Sequence, residues 1–587
     1  MAWWCLSCDN HRSAHGKSLP EGDTTNSTVR KSAYSSLLDG LIAFAGTFFP
    51  ALLRRARLRA RWVQPGDANG WGASWYFDLL RERLSAAAVV DDKTWSDLEF
   101  PRFFTAIDTT ISLVGRQYLF AQLRAYEYDK AALDARHQAC GVLQSHQGLR
   151  EHIQLALRPL ESDPSAFIAD LLLGPEPQRV PHGQLVLPWT LLSVVIVAAA
   201  LAQVIPIWLC AVPLVINISI AMKIDAKLGR NVDALMSLAR MLGVANRIAA
   251  VRSETSFSLL RQLVSETEKR KKLGSQIKWL AALERGRSID LIGGLAVTMN
   301  ALFLLKFALY ARSIDRFARG RAEWLSTFQL VGAMDASIAV ANFLCRYPDH
   351  CRPGVSHSAV AIENGYHPFI SKPVKNSIRL EGRSALITGS NMTGKTTFIK
   401  MIAINAVLGH TLGICLADQA TLPDSPVRAL IRGDQSVAEG KSRYFAEAEA
   451  IRDFIAESAT GACRIFVLDE PFSGTNTVER IAVAKAVLRA IGANAQVLVT
   501  THDVELQHLL GVQFELFYFQ ENPAVEGFFD HELHSGASTQ RNAIRVLERL
   551  GYPAEIIAEA LATVPTVDGS PMPSEGNIYD RCTAPPK

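Results

Sequence analysis

Apolar positions along this chain follow three rhythms, and each predicts a different kind of element. Between residues 91 and 160 they recur at three- and four-residue spacing, as at Leu119 and Leu123, the pattern of helices with one buried face. Residues 185–221 carry no charged side chain at all. One membrane crossing takes about 20 residues, so this stretch predicts two short spans meeting near residues 203–206. Arg158 and Arg179 precede it, Lys223, Lys227 and Arg230 follow it, and its turn holds no basic residue, as a hairpin with both ends inside requires. A single long helix buried in protein is the competing reading. Residues 291–310 are apolar too, but include Asn300 and Lys306, and one crossing there would separate parts of one body; a core or membrane-surface helix is expected. The third rhythm is the short apolar run at 384–388, 464–468 and 496–500, expected to be buried strands.

Residues 37–53 are apolar apart from Asp39 and run into Arg54, Arg55, Arg57, Arg59 and Arg61. That is either a short span with a basic flank or an amphipathic helix on anionic lipid. A DNA-contacting patch is a third reading, disfavoured by the adjoining apolar run. Residues 1–33 and those from 566 onward read as polar tails, and 223–288 as long charged helices whose 268–272 cluster is a solvated face.

Composition strengthens the membrane reading. Hydrophobic residues make up 49% and charged residues 20%, and mean hydropathy is +0.11. The 587 residues suffice for several domains, and the net charge of +4 is too small to argue for a nucleic-acid or acidic partner. A disordered protein, a disulfide scaffold and a polycation are excluded. Nine cysteines include one close pair, Cys5 and Cys8, with His11 nearby. A lone pair is weak evidence for zinc, and reduced cytosolic thiols fit the odd count better. The first residues lack a basic region followed by an apolar one, so no cleavable signal peptide is expected.

The chemistry concentrates late in the chain. The run 384–388 leads into Gly389, Ser390, Asn391, Met392, Thr393, Gly394, Lys395 and Thr396, then a helical pattern with Phe398 and Ile402. Strand, glycine loop, Lys-Thr and helix form a phosphate-binding loop: backbone N–H groups cradle phosphates, Lys395 neutralises charge and Thr396 holds magnesium. The run 464–468 ends in Asp469, suited to magnesium, and Glu470, suited to orienting an attacking water. The run 496–500 ends at Thr501 and His502, a γ-phosphate sensor. Three strand ends would thus deliver this chemistry to one edge of a parallel sheet.

These motifs resemble the MutS mismatch-repair family. Residues 388–397 are similar to its TGPNMGGKST, with Ser390 for proline and Thr393 for glycine; Asn391 and Met392 are the distinguishing pair. Residues 468–477 resemble MDEIGRGTST, with Pro471 and Phe472 for Ile-Gly; 500–506 resemble ATHYHEL, and 439–447 resemble SGRSTFMVE. Residues 365–368, 534–538 and 550–557 resemble the domain's entry and its closing helices. The similarity is strong over 355–565 and thinner upstream, at 95–123 and 330–343.

The resemblance implies an α+α/β chain. It would have a tail and candidate membrane helix (1–90) and a helical core and lever domain (91–353) with a transmembrane hairpin near 185–222. A P-loop, ABC-like α/β ATPase domain (354–565) and a tail (566–587) would follow. It also implies ATP and Mg2+ as cofactors: residues 389–396, with Thr397, around the phosphates, Thr396 and Asp469 on the metal, and Lys395, Glu470 and His502 in catalysis. Ser442 would be offered across a homodimer. Double-stranded DNA is the partner the resemblance implies; membrane lipid as a second partner, and an inner (cytoplasmic) membrane location with the ATPase in the cytoplasm, are expected from the apolar stretches and their basic flanks. The family's mismatch-reading domain has no room upstream of residue 95; its Phe-x-Glu wedge has a literal match only at Phe445 and Glu447, inside the ATPase signature. The family's adenine-stacking aromatic aligns with Val374. An ABC-type transport or remodelling ATPase is the alternative, favoured by the Leu-Asp-Glu-Pro run and the hairpin but lacking an LSGGQ-like segment. A structural protein with a degenerate site is a third reading, opposed by the intact Lys395, Asp469, Glu470 and His502.

Overall fold

The computed structural model describes residues 50–66, 70–180, 183–251, 257–269, 303–390, 392–431, 443–461, 463–522, 529–537 and 551–563. The chain divides into a unit of residues 1–62 and one of residues 63–587. In the first, helix Pro50–Arg61 exposes all five of its arginines and has no acidic residue. The apolar run 37–49 before it and the pair Cys5 and Cys8 lie outside the described residues.

In the second unit the helical body is built around helix Arg321–Arg346. Its sequence is apolar on every face, and nearly every side chain from Phe328 to Leu344 is buried. Helices Leu113–Arg124 and Lys130–Ser145 pack against it. Two glycines permit the approach: a Cβ on Gly332 would lie 2.6 Å from that of Tyr118, and one on Gly115 would strike the Asp335 carboxylate. Asp335 is fully buried and accepts from Ile111 N (3.1 Å), Ser112 N (2.7 Å) and Ser112 Oγ (2.6 Å), covering the start of helix Leu113–Arg124. Asp335→Ala would strand two backbone donors, and a loss of about 2–4 kcal/mol is expected in equilibrium unfolding. Burial raises this carboxyl to about 6, despite the hydrogen bonds from Ser112 and Ile111. Its contribution is therefore fully present below the unfolded value of 3.8 and is lost as pH rises through 6. Stability falling over that window in wild type, and flat in Asp335→Asn, checks the assignment.

The body begins before residue 91. Helix Trp75–Arg81 buries Tyr76 and Phe77, whose rings lie 5.0 Å from Phe328 and 6.0 Å from Phe120. A seven-residue helix is too short to announce itself by periodicity, and residues ahead of it join the same body: Val63 N donates to Asn342 Oδ1 at 2.7 Å.

The uncharged stretch forms two helical arms. Helix Gly183–Leu201 ends at a turn with Gln203 in left-handed backbone (φ 59°), and Ile207–Cys210 leads into helix Ala211–Ala249. Leu191, Val195, Ile207, Trp208, Val215 and Met222 are exposed, whereas Leu228, Val232, Leu235 and Leu238, further along the second helix, are buried. Trp189 Nε1 donates to the buried Asn217 Oδ1 at 2.6 Å, tying the arms together. The 19 residues of the first arm rise about 28 Å, close to a bilayer's hydrocarbon thickness. Helix Arg321–Arg346 is also long and apolar enough to cross a membrane, but 83% of its most apolar window is buried against 17% for Gly183–Leu201. Residues 291–302 lie outside the described residues; helix Leu305–Arg319 beyond them buries Phe307, Tyr310, Ile314 and Phe317 and packs on the first arm, as a core helix does.

From Gly354 the pattern changes to strands. β1 (Gly354–Ser356), β2 (Ala359–Gly365), β3 (Asn376–Glu381) and β5 (Gln419–Pro423) form one sheet in the order β1-β5-β2-β3. β4 (Ser384–Thr388), β6 (Val427–Leu430), β7 (Ile465–Asp469), β8 (Gln496–Thr501), β9 (Phe514–Tyr518) and β10 (His534–Ser535) form the other, ordered β10-β9-β4-β8-β7-β6 and parallel except for β10. The three apolar runs are its central strands, wholly buried. Edge strand β6 is covered by the helical body: Ala429 N donates to Thr94 Oγ1 (2.9 Å) and Tyr126 OH to Val427 O (3.1 Å).

Candidate nucleotide site

β4, β8 and β7 are adjacent and in step, with Thr388 opposite Thr501 and Thr500 opposite Asp469, so their ends open on one edge. The loop after β4 requires its glycines. Gly389 has φ 147° and a Cβ there would lie 2.7 Å from Phe519 O; Gly394, at φ 109°, precedes helix Lys395–Thr411. The helix N-terminus therefore points its free N–H groups into the loop.

Lys395 is 4% exposed and its Nζ donates to Gly389 O and Ser390 O, both at 2.8 Å. Burial pushes this amine down to about 8, against the pull of Glu470 and Asp469. Thr396 Oγ1 lies 3.0 Å from Asp469 Oδ2, and Thr500 Oγ1 donates to Asp469 Oδ1. Glu470 is held in left-handed backbone (φ 46°) by its N–H, which reaches Thr500 O at 3.1 Å and Thr500 Oγ1 at 3.2 Å. Its carboxylate meets His502 Nε2, which is 3.5 Å from Lys395 Nζ.

Of the expected site residues, Gly389, Ser390, Met392, Thr393, Gly394, Lys395, Thr396, Thr397, Asp469, Glu470 and His502 gather at this edge. Asn391 and Ser442 lie outside the described residues. Five positions beyond Ser442, Glu447 Oε1 accepts from Phe472 N at 2.6 Å. Phe472 has φ 62°, where the family motif carries glycine; its ring is 3% exposed in the core, and that burial offsets the backbone cost.

A cavity of about 390 Å3 runs from Lys395, Thr396 and Glu470 to Ile370, Val374 and His531. On its far wall sequence reading had placed Val374 but not the polar groups around it. His531 Nδ1 is 2.9 Å from Thr393 O, Asn376 Nδ2 donates to His531 O at 2.9 Å, and Ser390 Oγ donates to Glu521 Oε1 at 2.9 Å. His531 and Glu521 lie more than 130 positions from their loop partners, so no local motif reveals them. Thr500 was legible only as a strand residue.

The donor set fits a nucleotide with magnesium. A buried amine turned onto loop carbonyls is available to phosphate oxygens, and a hydroxyl beside a carboxylate suits a hard cation.

The model of MutS domain V matches residues 385–567. The chain is 30% identical over 246 residues to a DNA mismatch repair protein MutS of Natronomonas pharaonis, covering 40% of this chain and 28% of that protein. It is 28% identical over 252 residues to that of Thermus aquaticus (42% and 31%) and 30% identical over 297 residues to that of Sorangium cellulosum (47% and 31%). It thus spans about three-tenths of the length of these curated relatives. Phosphate loop, paired Asp469 and Glu470, and His502 thus stand on adjacent strand ends of a region similar to MutS domain V.

Proposed function

We propose that this protein is a MutS-like ATPase tethered to a membrane, a dimeric clamp that hydrolyses ATP at sites shared between subunits and embraces double-stranded DNA. The convergence of Lys395, Thr396 and Glu470 on one cavity, with Asp469 and His502 in contact with them, carries the reading. Lys395 would turn from the loop carbonyls to the β- and γ-phosphates, while the backbone of residues 389–397 cradles the rest. Thr396 and Asp469 would hold Mg2+, which when bound neutralises phosphate charge. Glu470 accepts a proton from the attacking water, and His502 orients that carboxylate. Ser442 completes the site from the second subunit. The exposed hairpin arms support a location in the inner membrane with the ATPase domain in the cytoplasm.

The test is the ATPase rate of the full chain in detergent, with and without duplex DNA, at low and physiological salt. A DNA-stimulated rate that falls steeply with salt is expected, since unspecific phosphate contacts release counterions. A rate indifferent to DNA but altered by lipid sinks the clamp and leaves a transport or remodelling ATPase.

A further inference from the structure

Helix Phe100–Ile107 of the helical body packs between Phe369, next to the cavity-lining His367 and Ile370, and the body's central helix. It begins at Glu99, whose φ of 57° is left-handed backbone that a non-glycine residue keeps only where its surroundings fix it. Those surroundings belong to the ATPase domain. Glu99 Oε1 accepts from Lys400 Nζ at 2.7 Å, and Lys400 stands on the helix that the phosphate loop feeds. One turn along, the Arg102 guanidinium lies 4.4 Å over the ring of Phe369. Phe369 N donates to His367 Nδ1 at 3.3 Å, and His367, 9% exposed, lines the cavity. Burial pushes the His367 imidazole down to about 4, so it is neutral, and Glu99, Lys400 and Arg102 are the charges around it. On the opposite side, the Phe103 and Phe343 rings are 5.2 Å apart and Arg346 donates to Ala106 O at 2.6 Å, both contacts reaching helix Arg321–Arg346.

We propose that Glu99 and Arg102 are positioning residues for nucleotide binding: they seat Lys400 and the His367–Phe369 wall, and so make nucleotide affinity depend on where the helical body stands. This rests on the ATP-binding reading above. The Glu99 side chain is 43% exposed and that of Lys400 15%, so their ion pair adds little to global stability. Placement is what it contributes. Because binding couplings are reciprocal, nucleotide arriving against this wall biases the body by the same factor.

The test uses the full chain in detergent, with a fluorescent ATP analogue for affinity and steady-state hydrolysis for KM and kcat. Glu99→Gln and Arg102→Ala should each raise Kd and KM about fivefold, the lower end of a usual coupling, with kcat held within about twofold. Glu99→Lys and Lys400→Glu should each show the same loss, and the double exchange should recover most of it. Unchanged affinity in the single variants, a fall in kcat at constant KM, or a double exchange no better than its parents overturns the proposal. Wild type that binds the analogue without hydrolysing ATP sinks the ATPase reading while the affinity comparison still decides this one; wild type that binds no nucleotide sinks both.

Discussion

Glu470→Gln will leave ATP binding within about twofold of wild type and lower turnover by about a thousandfold, the range expected when a positioned general base is lost. Position and chemistry separate cleanly here. The backbone of Glu470 is fixed by Thr500 through two hydrogen bonds from its N–H, and its side chain abuts His502. Glutamine is isosteric and keeps that arrangement, but its amide cannot take a proton from water. Lys395→Ala should fail differently. It removes the buried amine that would turn from the loop carbonyls to the phosphates, so affinity collapses together with turnover. Asp469→Asn should raise the magnesium requirement, because Asp469 is the carboxylate shared by Thr396 and Thr500. Single-turnover hydrolysis alongside analogue binding distinguishes the three. More than a tenth of wild-type turnover in Glu470→Gln would transfer the base role to another group, His502 being nearest.

How much of this was legible in advance depends on the range of the interactions concerned. The phosphate loop and the Asp469-Glu470 pair are local: a buried strand, a tight turn and the next helix all fall within a short window, and their residue types are dictated by phosphate and metal chemistry. The strand ends followed for the same reason, since wholly apolar runs bounded by turn residues suit only the centre of a covered sheet. His531 and Glu521 were not legible, because they reach the loop from more than 130 positions away and carry no spacing of their own; Asn376, which holds His531, was hidden for the same reason. Glu99 was hidden more deeply: nothing in its neighbourhood marks an acidic residue as the partner of Lys400, 301 positions away. Phe472 shows the converse. Read alone, it looks like a departure from the family motif; the structure gives it a left-handed backbone and a core to fill. Tyr76 and Phe77 were not legible as core positions because they contribute packing without periodicity.

Arginines placed together at Leu191 and Val195 should release the chain from membranes, moving it from the carbonate-resistant pellet to the supernatant. Both side chains lie on the outward surface of helix Gly183–Leu201, 58% and 61% exposed, near the middle of the arm. An arginine at the centre of a spanning helix costs about 2.5–3.5 kcal/mol on insertion scales, so two cost roughly 5–7 kcal/mol. That is enough to reverse the insertion of one short arm, and the Trp189–Asn217 hydrogen bond would draw its partner out with it. The same pair of changes at Leu235 and Leu238, buried further along the second helix, provides the contrast: it should unfold the body and aggregate the chain while leaving the hairpin in the pellet. If the hairpin instead stood in water or against another protein, Leu191→Arg with Val195→Arg would be solvated at little cost and the distribution would not move. Unchanged extraction in that variant would remove the tether from the proposed function and leave a clamp whose exposed arms await a different partner.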